Sequence, residues 1–141
     1  MNIIQETKRL LAAALMDAAA AARAAGEISY DELPDFVVEI PREKFHGDFA
    51  TNLALLLARQ ARQAPRAIAA AIVQHFDLTQ AGVAKIEVAG PGFINFTLDG
   101  KWLLPVLPAV LAEDEHYGWS NIGQGTKVQV EFVSANPTGL L

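Results

Sequence analysis

Apolar positions set the first element. Ile3, Ile4, Leu10, Leu11, Ala14, Leu15, Ala18, Ala21 and Ala22, with Thr7 among them, recur at helical spacing. The opposite side carries Gln5, Lys8, Arg9 and Asp17. Asn2 is placed to cap this helix, Gln5 to reach back to it, and Gly26 to end it. The period then drops to two. Phe36, Val38 and Ile40 alternate with Val37 and Glu39, which predicts a strand with the first three facing inward and Pro41 stopping it. Residues 42–47 read as a polar loop. Asp48 then predicts the cap of a second helix, Phe49 to about Gln63, packed through Leu53, Leu56 and Leu57. Pro65 opens a third, where its missing amide hydrogen costs nothing, running through Ile68, Ile72 and Phe76.

Two alternating runs follow. In 83–89, Ala84, Ile86 and Val88 share one face, with Lys85 and Glu87 on the other. In 93–98, Ile94, Phe96 and Leu98 share one face, with Phe93, Asn95 and Thr97 on the other. Gly90-Pro91-Gly92 turns between them, so the pair reads as a hairpin with one buried and one open face. A fourth helix is expected from about Gly100 to Glu113, with a core face of Trp102, Leu103, Val106, Leu107 and Val110, kinked or shortened by Pro105 and Pro108. Residues 116–126 form a glycine-rich connector. Lys127 to Val133 alternates once more as a last strand, ahead of a polar loop from Ser134 to Gly139. A strand leading into such a loop ordinarily expects a helix next, so the end reads as a truncation. An orphan strand of this kind is expected to extend its own domain's sheet or to pair with a neighbouring chain.

Composition narrows the classes. The chain has 141 residues, which suits one domain and the start of a second, and 52% of them are hydrophobic, enough for a packed core. There is no cysteine, which excludes disulfides, thiolate metal sites and cysteine nucleophiles. No apolar run is long enough to span a bilayer, and no secretory signal opens the chain, so the cytoplasm is the expected compartment. The net charge of −5 argues against a protein that grips nucleic acid mainly through phosphates. Any such contact has to be local and led by shape.

Few residues could carry chemistry. Phe93 and Asn95 lie two apart on one strand and point the same way. A bare ring can stack on an unpaired base and a carboxamide can read its edge, while Lys85 on the neighbouring strand could touch a phosphate. The competing reading is that a helix covers this face and Phe93 is core, which burial frequencies favour. Residues 47–52 lack the glycines and lysine of a phosphate loop. His46, His75 and His116 have no metal-ligand spacing, so no metal site is expected; His46 could titrate, but reads as a surface residue of a polar loop. Arg59, Arg62 and Arg66 could meet a phosphate backbone, but read as a solvated helix surface. No nucleophile stands with a base, and Ser134 lacks the setting of a catalytic serine.

The run Val130-Glu131-Phe132-Val133-Ser134-Ala135-Asn136-Pro137-Thr138-Gly139 resembles the segment that leads into the catalytic domain of arginyl-tRNA synthetases. In that family it runs into the class I signature read as H-V-G-H, and proline often stands where this chain has Leu140. Upstream, residues 47–54 resemble the family's G-D-[FY]-[AS]-[TS]-N block. Pro65 with Ile68-Ala69 resembles its P-x-x-I-A pattern, Pro91 to Phe96 its P-G-[FY]-[IL]-N-F block, and Tyr117-Gly118 its tyrosine–glycine pair.

The resemblance implies an α+β fold: a small antiparallel sheet with helices on one face, followed by the orphan first strand of a Rossmann-type catalytic domain. Residues 1–115 would be a tRNA-recognition domain, 116–126 a connector and 127–141 the start of the catalytic domain. The family's extra domain touches the tRNA elbow and reads a D-loop base through positions that match Phe93 and Asn95, which overturns the covered reading of that pair. Glu131, Ser134 and Asn136 match positions in the arginine pocket, where an acid suits a guanidinium. Ala135 to Gly139 match the approach to the catalytic signature. The implied partners are tRNA-Arg, L-arginine and ATP with Mg2+, all acted on by a full-length, monomeric enzyme. The chain by itself is expected to hold no cofactor and to be inactive, and it could pair through 127–133. The alternative is a standalone protein- or RNA-interaction module with a synthetase-like fold.

Overall fold

A computed structural model describes residues 2–131. Helix α1 spans Ile3–Ala24, and its first turn is capped as its sequence predicts: Asn2 accepts a hydrogen bond from the Gln5 amide. Gly26 follows the helix with a left-handed backbone. Helices α2 (Leu53–Ala61) and α3 (Pro65–Gln74) form a pair, with Pro65 in the first turn of α3. Four short strands make one antiparallel sheet: β1 (Val38–Glu39), β2 (Phe49–Thr51), β3 (Val83–Ala89) and β4 (Phe93–Leu98), in the order β1-β2-β4-β3. Helix α4, Val106–Glu113, follows a short 3-10 turn at Gly100–Leu103.

The core lies between one face of the sheet and the first three helices. Phe49, Ile94, Phe96, Leu98 and Val83 from the strands pack with Leu11, Leu15, Leu53, Leu57, Ile68 and Ile72 from the helices. Phe76, just past α3, sets its ring 5.4 Å from that of Phe96. The fold is therefore α+β with the three helices on one face of a small antiparallel sheet.

Several expectations are corrected. The first strand is two residues long, and Ile40 is exposed rather than inward-facing. Residues 49–51, expected to be helical, form β2 at the middle of the sheet and are all buried. Asp48 therefore caps no helix. Its carboxylate Oδ2 accepts from the Leu98 amide at 2.8 Å, and its own amide donates to the Phe96 carbonyl at 2.7 Å. Thr51 takes over the start of α2: its hydroxyl oxygen accepts from the Leu53 amide. Asn52 accepts from the Val37 amide and so fastens the approach to β1. In β3 the register slips between Val83 and Lys85. The slip is a bulge at Ala84, which turns that residue outward and lets Val83 enter the core beside Ile86 and Val88. The core face expected of a helix over residues 100–113 is missing: Leu103, Leu107 and Val110 are exposed, and of its residues only Trp102, in the 3-10 turn before α4, reaches the core. Residues 127–131 are exposed and join no strand of the sheet; Phe132 and Val133 lie outside the described residues.

Gly47 shows why the loop before β2 can run so close to β4. Its φ is +89°, and a Cβ there would lie 2.5 Å from the Phe96 carbonyl oxygen. Gly26 has a similar φ of +74° but open space around it. Gly47→Ala is therefore expected to cost about 2 kcal/mol or more, adding steric displacement to backbone strain, and Gly26→Ala about 1 kcal/mol from strain alone. Denaturant unfolding of the two variants checks this, and equal losses would show that the close approach carries no energy of its own.

Candidate nucleic-acid interface

The face of the sheet turned away from the helices is the one that carries Phe93, Asn95 and Thr97. Register fixes its neighbours. Asn95 stands between Ala50 on β2 and Glu87 on β3, and Glu39 of β1 lies beyond Ala50 in the same row. The small Ala50 side chain leaves space beside Asn95. Over it runs a groove of about 410 Å³, walled by Pro41, Arg42 and His46 on one side and by Pro91 and Phe93 on the other. That volume falls in the range of small-ligand sites and exceeds what one nucleobase needs.

Two contacts hold the hairpin turn that carries Phe93. Gly92, with φ +145°, lies so close to Pro65 that a Cβ would come within 2.7 Å of it. Arg66 donates to the Gly90 carbonyl. The start of α3 is thus the buttress of the turn, and Phe93 is presented from a fixed backbone with 37% of its surface exposed. A bare aromatic held in this way can stack on a base without reorganising.

Asn95 departs from the expectation of an open strand surface. It is buried to 8% exposure, under the loop that carries the short 3-10 turn Lys44–His46 rather than under an α-helix. His46 lies over it, with Nδ1 3.4 Å from the carboxamide Nδ2. Asn95 is the floor of the groove and Phe93 a wall. His46, expected to be a solvated loop residue, is half-buried and lines the site. The sequence signal for this was weak: only the close approach at Gly47 brings the loop onto β4, and that depends on the register of β2.

The remaining candidates divide. Lys85 points to the same side of the sheet but does not line the groove; its Nζ lies 2.9 Å from Glu87, and both side chains are largely exposed. Such a surface pair is weak enough to yield to a phosphate. Arg42, in sequence simply one residue of a polar loop, lines the groove and forms no ion pair among the described residues. Arg66 is committed to the hairpin turn, while Arg59 and Arg62 are exposed near the end of α2. His75 pairs with Glu27 at 3.1 Å, and His116 packs on Trp119. Among the described residues no group of three or more His, Asp or Glu could hold a metal ion. No helix among them is long and apolar enough to cross a membrane. Glu131 is exposed at the edge of the described chain; Ser134 and Asn136, with the rest of 135–139, lie outside it.

The chain matches known proteins over its whole length. The family described as "Arginyl tRNA synthetase N terminal domain" matches residues 5–98, the stretch that holds α1 to β4. An arginine–tRNA ligase of Moorella thermoacetica is 83% identical over the whole chain. Those of Desulfitobacterium hafniense and Heliobacterium modesticaldum are each 54% identical, again over the whole chain. In each case the chain spans 25% of the relative's length. The chain belongs to the arginyl-tRNA synthetase N-terminal domain family.

Proposed function

We propose that the domain reads one unstacked nucleotide of the tRNA-Arg elbow, in the D-loop, as part of a cytoplasmic enzyme that joins arginine to tRNA at the expense of ATP. The observation that carries this is the groove itself. An exposed ring and a carboxamide meet in one groove with room for a base, on the sheet face turned away from α1 to α3. The names of the relatives, arginine–tRNA ligases, give the reaction its context.

The charge of the chain fits a reader of this kind. With a net charge of −5, general attraction to phosphate is weak. Stacking and one polar contact ask for little positive charge, and Arg42 at the rim, with Lys85 further out, is placed for the phosphates on either side of the bound base. Other domains of the complete enzyme would supply the main grip on the backbone.

The rest of the division of labour follows the same reading. Residues 1–115 are the recognition domain, 116–126 the connector and 127–141 the entry to the catalytic domain. Glu131, Ser134 and Asn136 contribute to the arginine pocket, and Ala135 to Gly139 lead to the catalytic signature. ATP and Mg2+ are bound by that domain. An interaction module that keeps the fold without tRNA is the competing class.

In the full-length ligase, Asn95→Ala and Phe93→Ala are expected to raise KM for tRNA-Arg about tenfold, the loss of one stacking or polar base contact. Steady-state charging measures this, and unchanged kinetics for both would leave the groove without its role. Replacing D-loop nucleotides one at a time in the tRNA transcript should find a single position at which Asn95→Ala costs nothing more. The 141-residue chain alone is expected to show no arginine- or tRNA-dependent ATP–pyrophosphate exchange; turnover in that assay would sink the assignment of catalysis to residues beyond it.

A further inference from the structure

We infer that His46 is a positioning residue: it holds the Asn95 carboxamide so that its carbonyl oxygen, not its nitrogen, faces the groove. The inference rests on the groove being a nucleotide site and says which group of Asn95 does the reading.

The geometry of the pair sets the argument. Asn95 Nδ2 lies 3.4 Å from His46 Nδ1. An amide nitrogen can only donate, so Nδ1 accepts and the ring carries its hydrogen on Nε2. This commits one end of the carboxamide to the protein. The other end, Oδ1, accepts no hydrogen bond among the described residues, yet no buried side-chain oxygen or nitrogen there lacks a partner. Oδ1 is therefore open to the groove that Asn95 floors. It can accept from an N–H on a base edge.

The loop is built to keep the imidazole in place. The Asp48 amide and carboxylate bind the Phe96 carbonyl and the Leu98 amide on either side of Thr97. Gly47 permits the approach. The His46 amide donates to the Glu43 carbonyl, and the Phe45 ring packs on the imidazole with centroids 4.1 Å apart. The hydrogen bonds of Asp48 and of the His46 amide do not need the imidazole; the Phe45 contact does, and Phe45 is itself largely exposed. Removal of the imidazole should leave the loop standing and free the carboxamide, which then samples orientations that present an N–H where an acceptor is wanted.

The test is a set of variants of the full-length ligase charging tRNA-Arg transcript: His46→Ala, His46→Asn, Asn95→Ala and the double variant His46→Ala with Asn95→Ala. His46→Ala is expected to raise KM for tRNA about fivefold, the worth of one ordered hydrogen bond, with the effect in KM rather than kcat. His46→Asn, whose carboxamide oxygen can stand where Nδ1 does, should return KM to within about twofold of the parent. The double variant should match Asn95→Ala alone, because His46 acts only through Asn95. Four outcomes would overturn the inference: multiplicative losses in the double variant, no rescue by asparagine, a normal KM in His46→Ala beside an impaired Asn95→Ala, or a loss in His46→Ala that follows a lowered melting temperature in both His46 variants. A normal Asn95→Ala would instead remove the nucleotide reading itself, and the inference with it.

Discussion

The domain depends on how Asp48 is tied to β4. One residue satisfies two backbone groups of the neighbouring strand, donating through its amide to Phe96 and accepting through its carboxylate from Leu98. Hydrogen bonds from a backbone amide to a carboxylate are among the stronger ones a protein makes. Both groups sit where the ladder between β2 and β4 would otherwise run out, since the pairing ends at Phe49 with Phe96. The contact thus prolongs the ladder by side-chain means. It requires the preceding residue to pass within contact distance of the Phe96 carbonyl, which is the reason for glycine at position 47.

From that anchor the two sides of the sheet separate. Toward the core, Phe49 and Thr51 of β2 enter the space between strand and helices, and the Thr51 hydroxyl starts α2. Away from the core, the same short strand presents Ala50, and the loop before it delivers His46 onto Asn95. The block Gly47-Asp48-Phe49-Ala50-Thr51-Asn52 is thus a run in which each residue has a separate structural duty, and none of those duties is to hold a phosphate. The groove is a consequence of this arrangement: a small residue at the centre, a loop on one side and a buttressed hairpin on the other.

The apolar surface that runs from Leu104 through α4 to Ile122 stands apart from this core. Leu104, Leu107, Leu111, Trp119 and Ile122 are all exposed. The family match ends at residue 98, just before this region, and the relatives that match the whole chain are four times its length. The helical repeat predicted a buried face there. Apolar periodicity reports that a face is to be covered; it does not say that the cover comes from the same domain.

What the sequence determined by itself was periodic or local. The long first helix with its Asn2 cap, the Pro65 start of α3 and the hairpin around Gly90-Pro91-Gly92 each follow from side chains within a few residues of one another. So does the placing of Phe93 and Asn95 on one face, because alternation along a strand is a local property. Tertiary structure decided the rest. Leu53, Leu56 and Leu57 suit a helix, and Phe49 to Thr51 were drawn into the same pattern; only pairing with β4 makes those three a strand and turns Asp48 from a helix cap into a strand anchor. The bulge that sends Ala84 outward depends on the register with β4 and leaves no mark on composition. Whether Asn95 lay open or covered, and by what, was decided by a loop 49 residues away in sequence. Side-chain pattern encodes which way a residue points; what it meets there is set by contacts between segments that no local pattern specifies.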